Sequence, residues 1–348
     1  MKHGIFSSLK GVALGLLAAL AWSTTAQAVA QTVELRVLTH SSFAIPKPLL
    51  AEFEKDTGIK LRITKAGDAG EMLNKLILTK ASPIADVVYG IDNALAPKAL
   101  AADVLEPYTG LAATRAAKVS TGSTLISVDY GYVMLNYDKA WFAKSGMALP
   151  KTMEELAQPA YAKLLVTQNP ATSSPGYAFM LATIASMGEE KAFDWWGRMR
   201  ANGVKVAKGW SEAYYTDFSR NGGKYPLVVS YATSPAAELF YAKDKPSEPP
   251  TATLPLAGGV YRQTEGVALV KGGAQSAAAA KFIEFLRSSP VQQQMQTDMW
   301  MYPVEPAVAR ADVMKWAPEP AAFDNPADKD VAEKGAAWVQ RWTKVVLK

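Results

Sequence analysis

The 348-residue chain contains no cysteine and only two histidines. Without cysteine there is no disulfide, no thiol nucleophile and no lipid-modified amino terminus. His3 lies in a leader described below, which leaves His40 as the one imidazole available to a folded domain. No G-x-S-x-G elbow, phosphate-binding loop or dinucleotide glycine fingerprint is present. A Ser-His-acid triad would have to use His40, and no neighbouring motif supports one. At the end of an apolar strand, His40 reads as a structural or cleft-lining group without a catalytic role. The nearest group of carboxylates, Asp68, Glu71, Asp86 and Asp92, follows no metal-ligand spacing. Charge of one sign is also scarce. With 37 Lys and Arg against 32 Asp and Glu, and no basic cluster, the chain does not read as a nucleic-acid binder. Catalysis, a resident metal and a cofactor are therefore not expected.

Long apolar runs are missing except at the start. Lys2 and Lys10 precede GVALGLLAAL (11–20), and the small-residue stretch AWSTTAQAVA (21–30) follows. This is the pattern of a cleavable signal peptide, too short in its apolar part to span a bilayer. Ala26-Gln27-Ala28 is the expected processing signal, with Ala28-Val29-Ala30 as the alternative, so residues 1–28 are read as leader. No twin-arginine pair occurs, which favours export of an unfolded chain. Loss of the leader lowers the net charge from +5 to about +3. A cysteine-free, exported, compact chain fits the bacterial periplasm.

The remaining length, about 320 residues, exceeds one comfortable core and suggests two lobes. Strand and helix patterns alternate from its beginning. VELRVLTH (33–40) reads as a strand, 46–57 as a helix closed by Gly58, IKLRIT (59–64) as a strand, 70–80 as a helix and ADVVYG (85–90) as a buried strand. Such a run implies an open parallel sheet with ligand contacts at strand carboxyl ends. A second lobe is expected after VDYGYVMLNYD (128–138). Its strands would lie in 164–170 and 225–234, with helices at 176–187 and 189–201. EGVALVKGG (265–273) reads as a strand returning to the first lobe and 279–296 as one helix. KDKPSEPPTA (243–252) reads as an exposed loop. The expected lobes are 29–128 plus 265–298, and 129–264 plus 299–348.

KGWSEAYYTDF (208–218) concentrates rings beside acids in a polar stretch. On a helix, Trp210, Tyr214 and Phe218 would share one face. That stripe is either core or an aromatic wall for a flat cation, with Glu212 and Asp217 supplying negative field. TSSPG (172–176) follows a strand and opens a helix. Ser173 and Ser174 could simply cap it, or the free N–H groups there could hold an anion or hydroxyl.

ADVVYGIDNAL (85–95), DYGY (129–132), TSSPG, VAKGWSEAYY (206–215), VVSYATSPA (228–236) and MWMYPV (299–304) follow one another in an order that resembles the periplasmic thiamine-binding proteins of ABC importers. The resemblance runs from about residue 33 to 340. The wider group is the class II solute-binding proteins, which also includes ferric-ion and polyamine binders. The resemblance implies an α/β, two-lobed periplasmic-binding-protein type II clamshell with a hinge and an interlobe cleft. It implies capture of thiamine, and of its mono- and diphosphate, without chemistry. It also implies delivery to a membrane permease and its ATPase, by a chain expected to be monomeric. By motif position, Trp210, Tyr214, Tyr215, Tyr231 and Trp300 would supply rings. Ser173 would meet the hydroxyl or phosphate end, and Asp68 would supply an acid.

The match has departures. The family's early loop carries a Trp near the cleft, where SSFAIPKP (41–48) offers only Phe43 and Ile45. Ala237 stands where the family tends to have Tyr, with Tyr215 or Phe240 as possible replacements. Ferric-ion binding through Tyr214 and Tyr215, polyamine binding, and thiamine degradation on a similar fold are the competing readings. Known degrading enzymes use a Cys nucleophile, which this chain lacks.

Overall fold

The computed structural model describes residues 32–348. The expected leader and its cleavage sites lie outside the described residues. Three strands form as expected where apolar residues recur near the start: β1 (Val33–Thr39), β2 (Ile59–Lys65) and β3 (Val87–Asp92). They alternate with the helices Lys47–Thr57 and Ala69–Leu78, and the first of these ends at Gly58 as its sequence indicates. β1 pairs in parallel with both β2 and β3. Every residue of β3 is buried, as a strand covered on both faces requires.

Next come β4 (Leu105–Glu106), the long β5 (Ile126–Asp138), β6 (Leu165–Gln168), β7 (Lys205–Ala207), β8 (Leu227–Tyr231) and β9 (Thr251–Leu254). The last are β10 (Tyr261–Val270) and β11 (Tyr302–Pro303). One sheet runs β2-β1-β3-β10-β5-β8-β6-β7. β5 holds its two ends together. Its first part, up to Val133, pairs with β10, and from Val133 onward it pairs with β8 and, on the other edge from Leu135, with β9. β10 likewise pairs with β5 over Tyr261–Val267 and, on its other edge, with β3 over Glu265–Leu269. Two antiparallel strands therefore carry the chain between the two ends of the sheet. Residues 32–348 form one compact unit.

Each end has its own packing. Around β1 and β3, Leu35, Val37, Phe53 and Val87 meet Phe282, Ile283 and Leu286 of the helix Ser276–Leu286. Around β6 and β8, Phe179, Trp195, Trp196 and Trp342 are all buried. Trp196 packs edge-on to Trp195 at 4.9 Å and to Trp342 at 5.3 Å. Such pairs add about 0.5–1.5 kcal/mol each beyond the area they bury. Among the described residues, no helix is long and apolar enough to cross a membrane.

Two sequence expectations need correction. The single helix at 279–296 is two, Ser276–Leu286 and Ser289–Asp298. Pro290 falls in the first turn of the second, which starts from the extended Ser288, and proline favours a new helix start over continuation. The helix read over 210–218 is one short turn, Trp210–Glu212, followed by a π-helical turn, Ala213–Asp217.

The helix Ser174–Met187 approaches β6 closely at Gly176, where a Cβ would lie 2.4 Å from the Gln168 carbonyl oxygen. Gly176→Ala should push this helix start outward. The expected loss is about 1–3 kcal/mol, read as a thermal midpoint lowered by several degrees in a circular-dichroism melt. An unchanged midpoint would show that the helix start can yield there.

Candidate functional site

A cleft of about 610 Å³ opens at the carboxyl ends of β1 and β8. Each wall comes from a different element. The loop after β1 gives His40, Ser41, Ser42 and Ala44, and the turn before the helix Ala69–Leu78 gives Asp68. Ser174 and Pro175 open the helix Ser174–Met187, and Trp210, Tyr214 and Tyr215 follow β7. Tyr231 ends β8, Glu238 and Tyr241 lie on the helix Ser234–Tyr241, and Glu265 projects from β10. Asp298 and Trp300 close the other side.

The π turn explains the aromatic wall. Its Phe218 N–H donates to the Ala213 carbonyl, five residues back. Trp210 and Tyr214 stack at 5.0 Å with planes 18° apart, and Tyr215 meets Trp210 edge-on at 5.2 Å. The wider turn thus brings positions i+4 and i+5 to one ring, which an ordinary helix does not; such turns are frequent at functional sites. Phe218 faces inward and is fully buried, so the stripe divides between wall and core. The Trp210 indole N–H donates to Ser230 Oγ at 2.9 Å, and Ser230 Oγ lies 2.8 Å from Ser234 Oγ. This chain fixes the indole plane.

Asp68 holds two elements together. Its Oδ1 accepts from Ala69 N at 2.7 Å, and its Oδ2 accepts from Trp210 N at 2.9 Å. Beside it, Lys208 Nζ lies 2.7 Å from Glu71 Oε1. Trp300 adopts a positive φ of 57°, a costly conformation for a bulky residue. Thr233 Oγ1 donates to its carbonyl at 2.6 Å and keeps it there. The enclosed indole N–H of Trp300 has no protein acceptor. Phe240 and Tyr241 pack edge-on to the same ring at 5.4 and 5.7 Å.

The cleft floor is acidic. Glu265 pairs in register with Asp92 on one side and Asp129 on the other, so three carboxylates stand abreast across β3, β10 and β5. All three are buried. Like charges directly opposite one another destabilise a sheet. Burial and the neighbouring Glu265 push Asp129 well above the ordinary carboxylate range, and burial pushes Asp92 up to about 8. The Tyr89 hydroxyl hydrogen-bonds Asp129 Oδ2 and lies 3.2 Å from Glu265 Oε2. Its one hydrogen serves one acceptor, and a proton held on Asp129 supplies the other bond. Glu265 also accepts from Gln263 Nε2 at 3.2 Å and lies 3.4 Å from His40 Nε2.

Six of the seven residues proposed from sequence, Asp68, Trp210, Tyr214, Tyr215, Tyr231 and Trp300, line this cleft. Ser173 does not. It is the buried N-cap residue, its Oγ makes no cap bond or other hydrogen bond to protein, and its neighbour Ser174 lines the cleft instead. The early loop supplies no ring: Phe43 is buried edge-on to Tyr89 at 5.2 Å and Ile45 is also buried. Tyr215, Ala237 and Tyr241 all line the cleft, while Phe240 is outside the lining and packs edge-on to Trp300. Glu238, Tyr241, Glu265 and Asp298 were not singled out from sequence, because none stands in a motif. Only the fold brings them beside the rings.

Residues 39–293 match the profile of the bacterial extracellular solute-binding proteins. The chain belongs to that family. It is 32% identical over 319 residues to a thiamine-binding periplasmic protein of Salmonella typhimurium, covering 90% of this chain and 93% of the relative. The protein of the same description from Escherichia coli matches equally, at 32% over 319 residues with the same coverage. Among solved structures, a periplasmic thiamin-binding protein superposes with a TM-score of 0.79 at 30% identity, covering 90% of this chain and 96% of that one. A ferric binding protein from Campylobacter jejuni shares the fold, with a TM-score of 0.72 at 20% identity and 89% and 99% coverage. The fold of this solute-binding protein is the two-lobed α/β clamshell of the type II periplasmic binding proteins.

Asp68→Ala removes the acceptor for both the Ala69 and the Trp210 N–H groups. A stability loss of about 1–2 kcal/mol is expected from the lost helix cap, together with faster amide exchange at Trp210 in hydrogen-exchange mass spectrometry. Unchanged exchange there would mean the wall holds its place without Asp68.

Proposed function

We propose that the chain captures thiamine in the interlobe cleft in the periplasm and delivers it to the permease and ATPase of an ABC importer. The observation that carries the reading is the composition of the cleft. Rings from four separate segments, at Trp210–Tyr215, Tyr231, Tyr241 and Trp300, face a lining that holds Asp68, Glu238, Glu265 and Asp298. No Lys or Arg is found among the described residues that line it. A flat cation gains about 0.5–2 kcal/mol from each ring face it meets, more as water is expelled. The surrounding carboxylates add attraction without a competing basic side chain. Thiamine joins a thiazolium cation to a flat aminopyrimidine, and proteins described as thiamine-binding are about one-third identical to this chain over nine-tenths of its length.

The mechanism is binding and closure. Residues 29–128 plus 265–298 would form one lobe and 129–264 plus 299–348 the other, turning about β5 and β10. Asp68, assigned to the first lobe, accepts from the Trp210 N–H of the second at 2.9 Å, a bond that opening of the lobes would break. The rings would sandwich the ligand, and no side chain needs to act as acid, base or nucleophile.

Ferric-ion capture by Tyr214 and Tyr215 is less well supported. Tyr214 is buried and donates to Glu238 Oε1 at 2.9 Å; burial and that carboxylate hold its phenol well above its ordinary range. A tyrosinate ligand needs the opposite influence. Polyamines would meet the same acids but could not stack.

Titration of thiamine into ligand-free protein should quench tryptophan fluorescence saturably, at micromolar ligand or below. Trp210→Ala and Trp300→Ala should each weaken binding at least tenfold, or about 1.4 kcal/mol, with the thermal midpoint nearly unchanged. No response by fluorescence or calorimetry, or unaltered affinity in both variants, would overturn the assignment. Spermidine should compete poorly, and strong competition would favour the polyamine reading.

A further inference from the structure

We propose that His40 sets how strongly the cleft attracts a cation: its imidazolium cancels the charge of the Glu265 carboxylate in acid, and its neutral form leaves that charge uncancelled, so capture strengthens as pH rises and releases a proton. This rests on the reading of the ligand as thiamine, a cation.

The site for His40 is built into the backbone. Gly90 of β3 has a φ of 99°, and a Cβ there would lie 2.1 Å from His40 Cδ2. The missing side chain is the space the imidazole occupies. The ring lies 5.6 Å from that of Tyr89 and is 7% exposed. The Ser42 N–H donates to His40 Nδ1 at 3.2 Å. In the neutral ring the hydrogen therefore sits on Nε2, which faces Glu265 Oε2 at 3.4 Å. Both side chains line the cleft, so a bound cation would share Glu265 with the imidazole.

The charged groups around the pair come from every neighbouring strand. Glu265 lies on β10, Tyr89 on β3, and Asp68 precedes the helix Ala69–Leu78, while Lys65 ends β2. Asp129 on β5 and Asp92 on β3 flank Glu265 in register. Burial opposes charge on His40, and Lys65 opposes it too. Glu265 and then Asp68 outweigh them, and the imidazole is held above its ordinary range of about 6.5. Below that raised midpoint, one positive charge cancels one carboxylate and repels the ligand. Above it, the Nε2–H still faces the carboxylate, but the negative charge is uncancelled and attracts the ligand. The coupling is reciprocal, so a bound cation expels the proton. Protonation of Nδ1 also displaces the Ser42 N–H, which ties the charge to the loop Ser41–Ala44 along the cleft wall.

Asp92, pushed to about 8, loses its proton in the same window and acts in the same direction. Asp92→Asn and His40→Asn therefore separate the two. The chain has two histidines, so NMR of the ligand-free protein, with H40N identifying the signal, reports His40 directly. Its titration midpoint should fall in Glu265→Gln by about one pH unit or more. A midpoint that does not move overturns the proposal. Thiamine affinity between pH 6 and 8.5 should rise about tenfold, the effect of one unit of proton coupling. D92N should keep most of that rise, and H40N should reduce it below twofold. A flat profile in the unaltered protein, or an undiminished slope in H40N, overturns it as well. Thiamine binding at no pH would sink the thiamine reading, and the His40–Glu265 coupling would then be decided by the NMR titrations.

Discussion

Three carboxylates abreast across the crossing strands are the constraint on which the rest of this cleft depends. Asp92, Glu265 and Asp129 occupy one register line of β3, β10 and β5, out of water. A sheet does not tolerate three buried negative charges in a row. Burial keeps Asp129 protonated, the Tyr89 hydroxyl links it to Glu265 Oε2, and His40 Nε2 faces that same oxygen. Only Glu265 of the three lines the cleft, so the floor presents one controlled acid. The same strands join the two ends of the sheet, so this charge lies between them.

The aromatic wall depends on a second constraint, the way Trp210 is held. Its backbone N–H is bound by Asp68 and its indole N–H by Ser230. These bonds come from elements on opposite sides of the cleft. The π turn then adds Tyr214 and Tyr215 to the same ring. Trp300 faces them with a backbone conformation that Thr233 keeps in place. Strain at a binding residue is tolerated because several neighbours determine its position together. The result is a rigid set of rings, which lowers the cost of ordering a ligand between them.

Most of the fold was legible in the sequence because its signals are local. Gly58 ends a helix, β3 reads as a continuous apolar run, and the helix at 189–201 has the bounds its periodicity indicates. The errors also have local causes. Pro290 divides a helix that apolar spacing alone would continue. Tyr214 stacks on Trp210 as helical spacing indicates, but periodicity could not reveal the wider turn that adds Tyr215 to the wall and leaves Phe218 in the core. Ser173 and Ser174 are adjacent, and which of them faces the cleft depends on how the helix start is rotated against β6.

The sequence by itself determined the class of chemistry. Lacking cysteine and having two histidines, only one of them within residues 32–348, it offers little for catalysis, and the rings of 208–218 and 299–304 indicate a flat ligand. Only the tertiary structure decided the charge of the site. Glu238, Glu265 and Asp298 lie far apart along the chain, and none of them stands within a motif. Whether a carboxylate attracts a ligand depends on its burial and on which groups share its protons. Those are properties of strand register and of long-range packing, as at Asp92, Glu265 and Asp129, and sequence spacing does not carry them.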